Sequence, residues 1–153
     1  MDINYSRYVP ENKETLLEIF KSNCPTYFAI EDAASLIDFL DHFADVNFNV
    51  VRLDGIIVGC GGHYVRHDKN IIGIAWVMFR RYALGRNAFL KLSQDFFLHL
   101  LAAIKKEKLD YEIVINTTQL MERTFTGFGF YTTQIIKDGF GNNLDHYEMK
   151  RRV

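Results

Sequence analysis

Ile71-Ile72-Gly73-Ile74-Ala75-Trp76-Val77-Met78-Phe79, followed by Arg80-Arg81-Tyr82-Ala83-Leu84-Gly85-Arg86-Asn87, decides how the rest of the chain is read. The first segment carries no charge and predicts a strand buried on both faces. The second is basic and holds one glycine. Beyond it Phe89, Leu92, Phe96, Leu100 and Ile104 recur at three- and four-residue steps, with Lys91, Gln94 and Asp95 between them, which predicts a long amphipathic helix. Strand, cationic loop and helix start together make an anion site. The unpaired N–H groups of a helix's first turn and the positive end of its dipole both favour a phosphate. A phosphorylated cofactor is therefore expected across Tyr82 to Asn87. The competing reading is a structural strand-turn-helix with exposed arginines, since one glycine is a weak phosphate signal.

Outward from that stretch, the bulk properties narrow the field. A chain of 153 residues with 48% hydrophobic content fits one domain, 1–153, with a sizeable core. A formal net charge of -1 gives no electrostatic basis for general nucleic-acid binding. Met1-Asp2-Ile3-Asn4-Tyr5 lacks the regions of a signal peptide, and no uncharged apolar span is long enough for a bilayer, so a soluble, cytoplasmic protein is expected. Cys24 and Cys60 make neither a disulfide framework nor the paired spacing of a zinc site, and no metal is expected. Cys60 reads as a small buried hydrophobe. A lone catalytic cysteine is the alternative, although no histidine is tied to it by sequence.

Upstream, Tyr5 to Val9 reads as a first strand and Pro10 as the start of a helix with Leu16, Ile19 and Phe20 buried. Cys24-Pro25 breaks that helix. A second helical pattern runs from Ile30 to Ala44, with Leu36, Phe39, Leu40 and Phe43 on one side and Glu31, Asp32, Asp38 and Asp41 on the other. The acidic face is either solvated or attracts a cationic substrate. Phe48 to Leu53, the turn Asp54-Gly55, and Ile56 to Arg66 form a hairpin that continues through His67-Asp68-Lys69-Asn70 into the central strand. Downstream, Tyr111 to Thr117 reads as a strand and Gln119 to Phe125 as a short helix stopped near Gly127 and Gly129. Tyr131 to Ile136 and Asp145 to Lys150 read as a closing pair. Their connection, Lys137 to Leu144, is glycine- and asparagine-rich and predicts a mobile loop exposing Phe140.

This order of elements resembles the GNAT superfamily of acyl-CoA-dependent N-acetyltransferases, and the likeness runs from Tyr5 to Lys150. Its most specific parts are Ala75-Trp76-Val77-Met78-Phe79, the loop with Gly85, and Gly127-Phe128-Gly129-Phe130. The resemblance implies an α+β fold with a mixed, mostly antiparallel central sheet flanked by helices. It also implies acetyl-CoA as co-substrate. The family loop reads Gln or Arg, two spacers, Gly, one spacer, then Gly or Ala. Here Tyr82 and Asn87 depart from it, and Asn87 either crowds the phosphates or caps the helix.

By the same resemblance the pantetheine arm lies along Val77, Met78 and Phe79 as an added strand. The diphosphate sits on Tyr82, Leu84, Gly85, Arg86 and Asn87, with Thr118 and Phe125 beside the arm. A backbone N–H near Met78 serves the oxyanion. Family members often place a tyrosine at the position of Phe125 to protonate the leaving thiolate. Tyr131 or Thr118 is then the expected substitute, with water or no acid as alternatives. The strand bears no acid to act as base, so His63 is the leading candidate, followed by Glu31 and Asp32, with His146 and Tyr147 near the same cleft. Tyr27, Phe28, Glu31 and Asp32 suit the amine of a small molecule or peptide on an apolar body. A catalytically silent acyl-CoA-binding module is the alternative function. The closing hairpin's edge is expected to support a homodimer.

Overall fold

Alternation and a tight Asp54-Gly55 turn fold the middle of the chain into a meander: β2 (Phe48–Leu53), β3 (Ile56–Arg66) and β4 (Ile71–Phe79). These bounds match the sequence reading. The computed structural model describes residues 2–153. β1 (Ile3–Arg7) pairs antiparallel with β2 from Ile3↔Leu53 to Arg7↔Asn49. The first strand therefore lies two residues earlier than Tyr5 to Val9, because β2 offers no partner beyond Phe48 and the chain turns away after Tyr8.

α1 (Lys13–Ser22) and α2 (Ala33–His42) cover one face of the sheet, and α3 (Arg86–Lys105) covers the other. Leu16, Ile19, Phe20, Leu36 and Leu40 pack on Phe48, Val50, Cys60 and Met78. Leu92, Phe96, Phe97, Leu100 and Ile104 pack on Ile72, Ile74, Phe79 and Ile113. Phe89, expected in the same buried stripe, is 38% exposed at the helix start. Phe43 is likewise 64% exposed, where the sequence pattern placed it in the core. Cys60 is fully buried, its thiol pushed well above the ordinary range by burial, which makes it inert packing.

β5 (Glu112–Thr117) runs parallel to β4, α4 (Glu122–Gly127) follows it, and β6 (Tyr131–Gly141) and β7 (Leu144–Arg152) close the chain. The sheet order is β1-β2-β3-β4-β5-β7-β6. The expected mobile connection 137–144 is instead strand almost throughout. Asp138 at φ 55°, Gly141 at φ 142° and a register shift between Ile136 and Gly141 let the pairing continue through residues that read as loop. Phe140 is half-buried, its ring 4.3 Å from that of His146, rather than exposed. β1 and β6 are the sheet's two edges, with Ile135 and Ile136 exposed on β6.

Two glycines let backbone and ring approach the sheet. A Cβ on Gly62 would fall 2.2 Å from the Asn47 carbonyl oxygen, and one on Gly73 would fall 2.1 Å from the Tyr64 ring. Gly62→Ala meets backbone that cannot swing aside. It is expected to cost on the order of 3 kcal/mol, read as a lower urea midpoint at unchanged slope. An unchanged midpoint would contradict this packing.

Candidate active site

The two central strands separate where the sequence suggested a cofactor arm. β4 and β5 pair only at Ile71↔Glu112, Ile72↔Ile113 and Gly73↔Val114. From Ile74 onward they part, so the β5-facing edge of β4 has no strand partner. Across the other edge, Cys60 faces Met78 and Gly62 faces Ala75, leaving Trp76 and Val77 opposite one residue. This bulge holds Trp76 at φ 47°, a left-handed conformation that costs an aromatic L-residue about 1–3 kcal/mol. Strain of that kind collects at functional sites, and here it turns Trp76 toward α1 and α2 while Val77 faces α3.

The gap between the strands opens into a cleft of about 1560 Å³ that passes through the sheet. On the α3 side, Val77, Phe79, Leu84, Arg86 and Phe125 line it, together with Phe89, Ser93 and Gln94 from the first three turns of the helix. Gly85 is the N-cap of α3 and supplies no side-chain cap; a Cβ built there would meet nothing within 4 Å. The N–H groups of Arg86, Asn87 and Ala88 precede the first intrahelical bond, Phe89 N–H to Gly85 O at 2.9 Å, and so remain orphan donors. Donors, dipole and Arg86 at the helix start fit a diphosphate, while Arg80 is paired with Glu18 at 3.6 Å. Asn87 is exposed and does not line the cleft, so it neither caps the helix nor obstructs this seat.

Arg81 joins the two halves of the cleft. Its Nη1 donates to Thr26 Oγ1 at 2.9 Å and its backbone N–H to Ser22 Oγ at 3.2 Å, and its guanidinium lies over the rings of Tyr27 and Tyr82. Asn23, which sequence reasoning passed over, donates from Nδ2 to Ile19 O at 2.9 Å and to Phe79 O at 2.8 Å. That pair of bonds pins the end of α1 to the end of β4. An asparagine just after a helix resembles an ordinary cap, so its second bond left no trace in the pattern.

On the α1/α2 side the lining changes character: Tyr27, Phe28, Asp32, Trp76 and Phe140 surround the strand bulge. Phe28 and Trp76 rings lie 5.9 Å apart. Asp32 is half-buried and makes no side-chain cap or ion pair among the described residues. Burial, and secondarily the neighbouring Glu31 carboxylate, raises its pKa from the ordinary aspartate value. Glu31 itself is exposed and outside the cleft.

Besides Glu31, four candidates are placed outside the cleft. His63 is buried on the α3 face of β3, where its Nε2 lies 3.1 Å from Glu107 Oε1; it does not reach the cleft. Strand alternation hid this, since a one-residue step moves a side chain to the opposite face. Tyr131 donates its hydroxyl to Glu112 Oε2 at 3.0 Å. Glu112 pairs with the first residue of β4, so Tyr131 sits at the closed end of the strand pair, away from the cleft. The Glu112 bond also raises the tyrosine's pKa, making it a weaker acid. Thr118 does line the cleft, buried, with Oγ1 accepting from the Leu120 N–H at 3.3 Å. His146 bonds Asn116 at 2.8 Å; neither it nor Tyr147 lines the cleft, whereas Asn116 does. Phe125 packs its ring on Phe97 and Phe130.

The chain has the fold of the GNAT N-acetyltransferase superfamily. It is similar throughout its length to Ard1 from Thermoplasma volcanium, with TM-score 0.78, 14% identity, and 100% and 99% of the two chains covered. It is similar also to the ribosomal-protein-S18-alanine N-acetyltransferase from Escherichia coli (TM-score 0.75, 11% identity, 99% and 94% covered). A third is PaiA N-acetyltransferase from Thermoplasma acidophilum in complex with coenzyme A (TM-score 0.68, 15% identity, all of both chains covered). No protein-family model and no curated protein sequence matches the chain. Among the described residues no helix is long and apolar enough to cross a membrane.

Proposed function

We propose that this chain is a single-domain N-acetyltransferase that moves an acetyl group from acetyl-CoA to a primary amine of a small molecule or peptide by direct attack. The observation that carries the reading is the continuous run from the unpaired edge of β4 to the orphan N–H groups of α3. An extended pantetheine arm fits the first as an added strand, and a diphosphate fits the second. The PaiA structure in complex with coenzyme A, on the same fold, supports coenzyme A as the ligand.

Acetyl-CoA supplies the acyl group as a thioester; the chain supplies position and proton handling. The β4 backbone at Val77, Met78 and Phe79 aligns the arm, and an N–H near Met78 stabilises the oxyanion, a contribution of about 3–4 kcal/mol in comparable acyl transfers. Asp32, beside the aromatic wall of Phe28 and Trp76, receives the proton of the incoming ammonium. An alkyl ammonium has a pKa of about 10.4 and must lose that proton before its nitrogen can form the new C–N bond. As the C–S bond breaks, the new amide nitrogen releases its remaining excess proton to water in the open cleft, and the thiolate takes one up from the same water. A thiol pKa of about 8.5 makes it a fair leaving group without a dedicated acid.

The buried Phe125, with no proton to give, favours a second reading, a silent acyl-CoA-binding module. Release of free thiol from acetyl-CoA across a panel of primary amines separates the two. The transferase reading expects amine-dependent release; CoA binding without any release would favour the silent module. The exposed β6 edge is the surface on which a dimer of this enzyme would pair.

A further inference from the structure

The cleft continues well past the point where chemistry would occur. Asp32, Ser35, Phe39 and Phe43 line it at steps of three, four and four residues, which places them on one face of α2 from end to end. Asp45 lines it just beyond the helix, and Tyr64 of β3 lines it as well, its ring seated over Gly73. A groove serving only a methylamine-sized acceptor would have no need of this length.

The charges along it are arranged as a pair. Asp32 and Asp45 take part in no ion pair among the described residues. Asp45 has one local bond, from the Asn47 N–H at 2.9 Å. Arg66, which lines the same groove, is already held by Asp68 through two bonds of 3.0 and 2.9 Å. Arg81 is held by Thr26. Between the two carboxylates the wall is aromatic, and Phe43 remains 64% exposed there. Aromatic faces and methylenes complement each other, and aromatic faces also attract ammonium groups.

Resting on the transferase reading above, the geometry points to a long aliphatic diamine as the acceptor, its reacting ammonium at Asp32 and its distal ammonium at Asp45. The ten-residue helix along the groove is about 15 Å long, which sets the scale of the span. Bonds of ~1.5 Å in a zigzag advance about 1.25 Å each, so roughly twelve bonds span it. Each methylene laid on the aromatic wall is worth up to about 0.8 kcal/mol, or nearly fourfold in affinity. The distal ion pair, at an exposed aspartate, adds a factor of about five.

Acetylation kinetics at saturating acetyl-CoA, with diaminobutane, diaminooctane, diaminododecane and dodecylamine as acceptors, test this. KM is expected to fall steeply from diaminobutane to diaminododecane, and diaminododecane to beat dodecylamine by about fivefold. In Asp45→Asn that last preference should vanish. Equal KM values for the two twelve-carbon amines, or a preference that Asp45→Asn leaves in place, would overturn the distal subsite while the transferase reading stood. If CoA binds and no amine is turned over, calorimetry of diaminododecane on the CoA complex decides. Binding weakened by Asp45→Asn keeps the subsite and removes the transferase reading; absent binding overturns both.

Discussion

Replacing Gly85 by aspartate is expected to abolish coenzyme binding while leaving the fold as stable as before or slightly more so. Gly85 has φ -63° and ψ 160°, open to any L-residue, and a Cβ there meets nothing within 4 Å. Aspartate is a strong N-cap, so its carboxylate would accept from the orphan donors of α3 and, against the glycine already there, add a few tenths of a kcal/mol to the helix. The same carboxylate would occupy the diphosphate's seat and repel it. Loss of several charge-assisted bonds at about 1.5–3 kcal/mol each predicts at least a hundredfold weaker CoA affinity by calorimetry, with an unchanged or raised Tm. A protein that gains stability and still binds CoA normally would show that the phosphates sit elsewhere. The paired readout separates a blocked site from a broken fold.

Asp32→Asn carries the second large effect. Removal of a general base typically costs about 10²–10⁴ in rate, so kcat/KM is expected to fall at least a hundredfold. The acidic limb that Asp32 imposes on the wild-type pH profile should disappear with it. Stability should move the other way. Burial, and then Glu31, raises the carboxyl pKa in the folded state. The folded chain therefore binds the proton more tightly than the unfolded one. That contribution is fully present below the unfolded pKa of about 3.9 and is lost as pH rises through the folded value. At neutral pH the charged carboxylate is thus held at a cost. Asparagine removes that cost and remains a good residue at the start of α2, so Tm should rise slightly. A variant with wild-type rate and pH profile would exclude Asp32 as the base.

Much of this fold was written in local patterns. β2, β3 and β4 begin and end where alternation and the Asp54-Gly55 turn place them, because hairpin register is a short-range property. The closing hairpin was misread because Gly139, Gly141, Asn142 and Asn143 have loop composition, while pairing with β7 keeps most of the segment extended. The helix start with its free amides was legible as a strand-loop-helix signature. The residue proposed as base was less so. His63 looked right by residue type, but the face it takes depends on the bulges of the sheet. Phe39 and Phe43 looked like core, and Asp32, one of an acidic pair, came only behind His63 as a base. Only the parting of β4 from β5, a long-range event, reveals that all three line one groove.

The claim beneath these readings is that the unpaired edge of β4 and the first amides of α3 form one continuous seat for the thioester and its diphosphate. Amide hydrogen exchange with and without CoA measures those groups directly. The account predicts slowed exchange at Arg86, Asn87 and Ala88 and along Ile74 to Phe79. Protection confined to other segments, or none at saturating CoA, would contradict it.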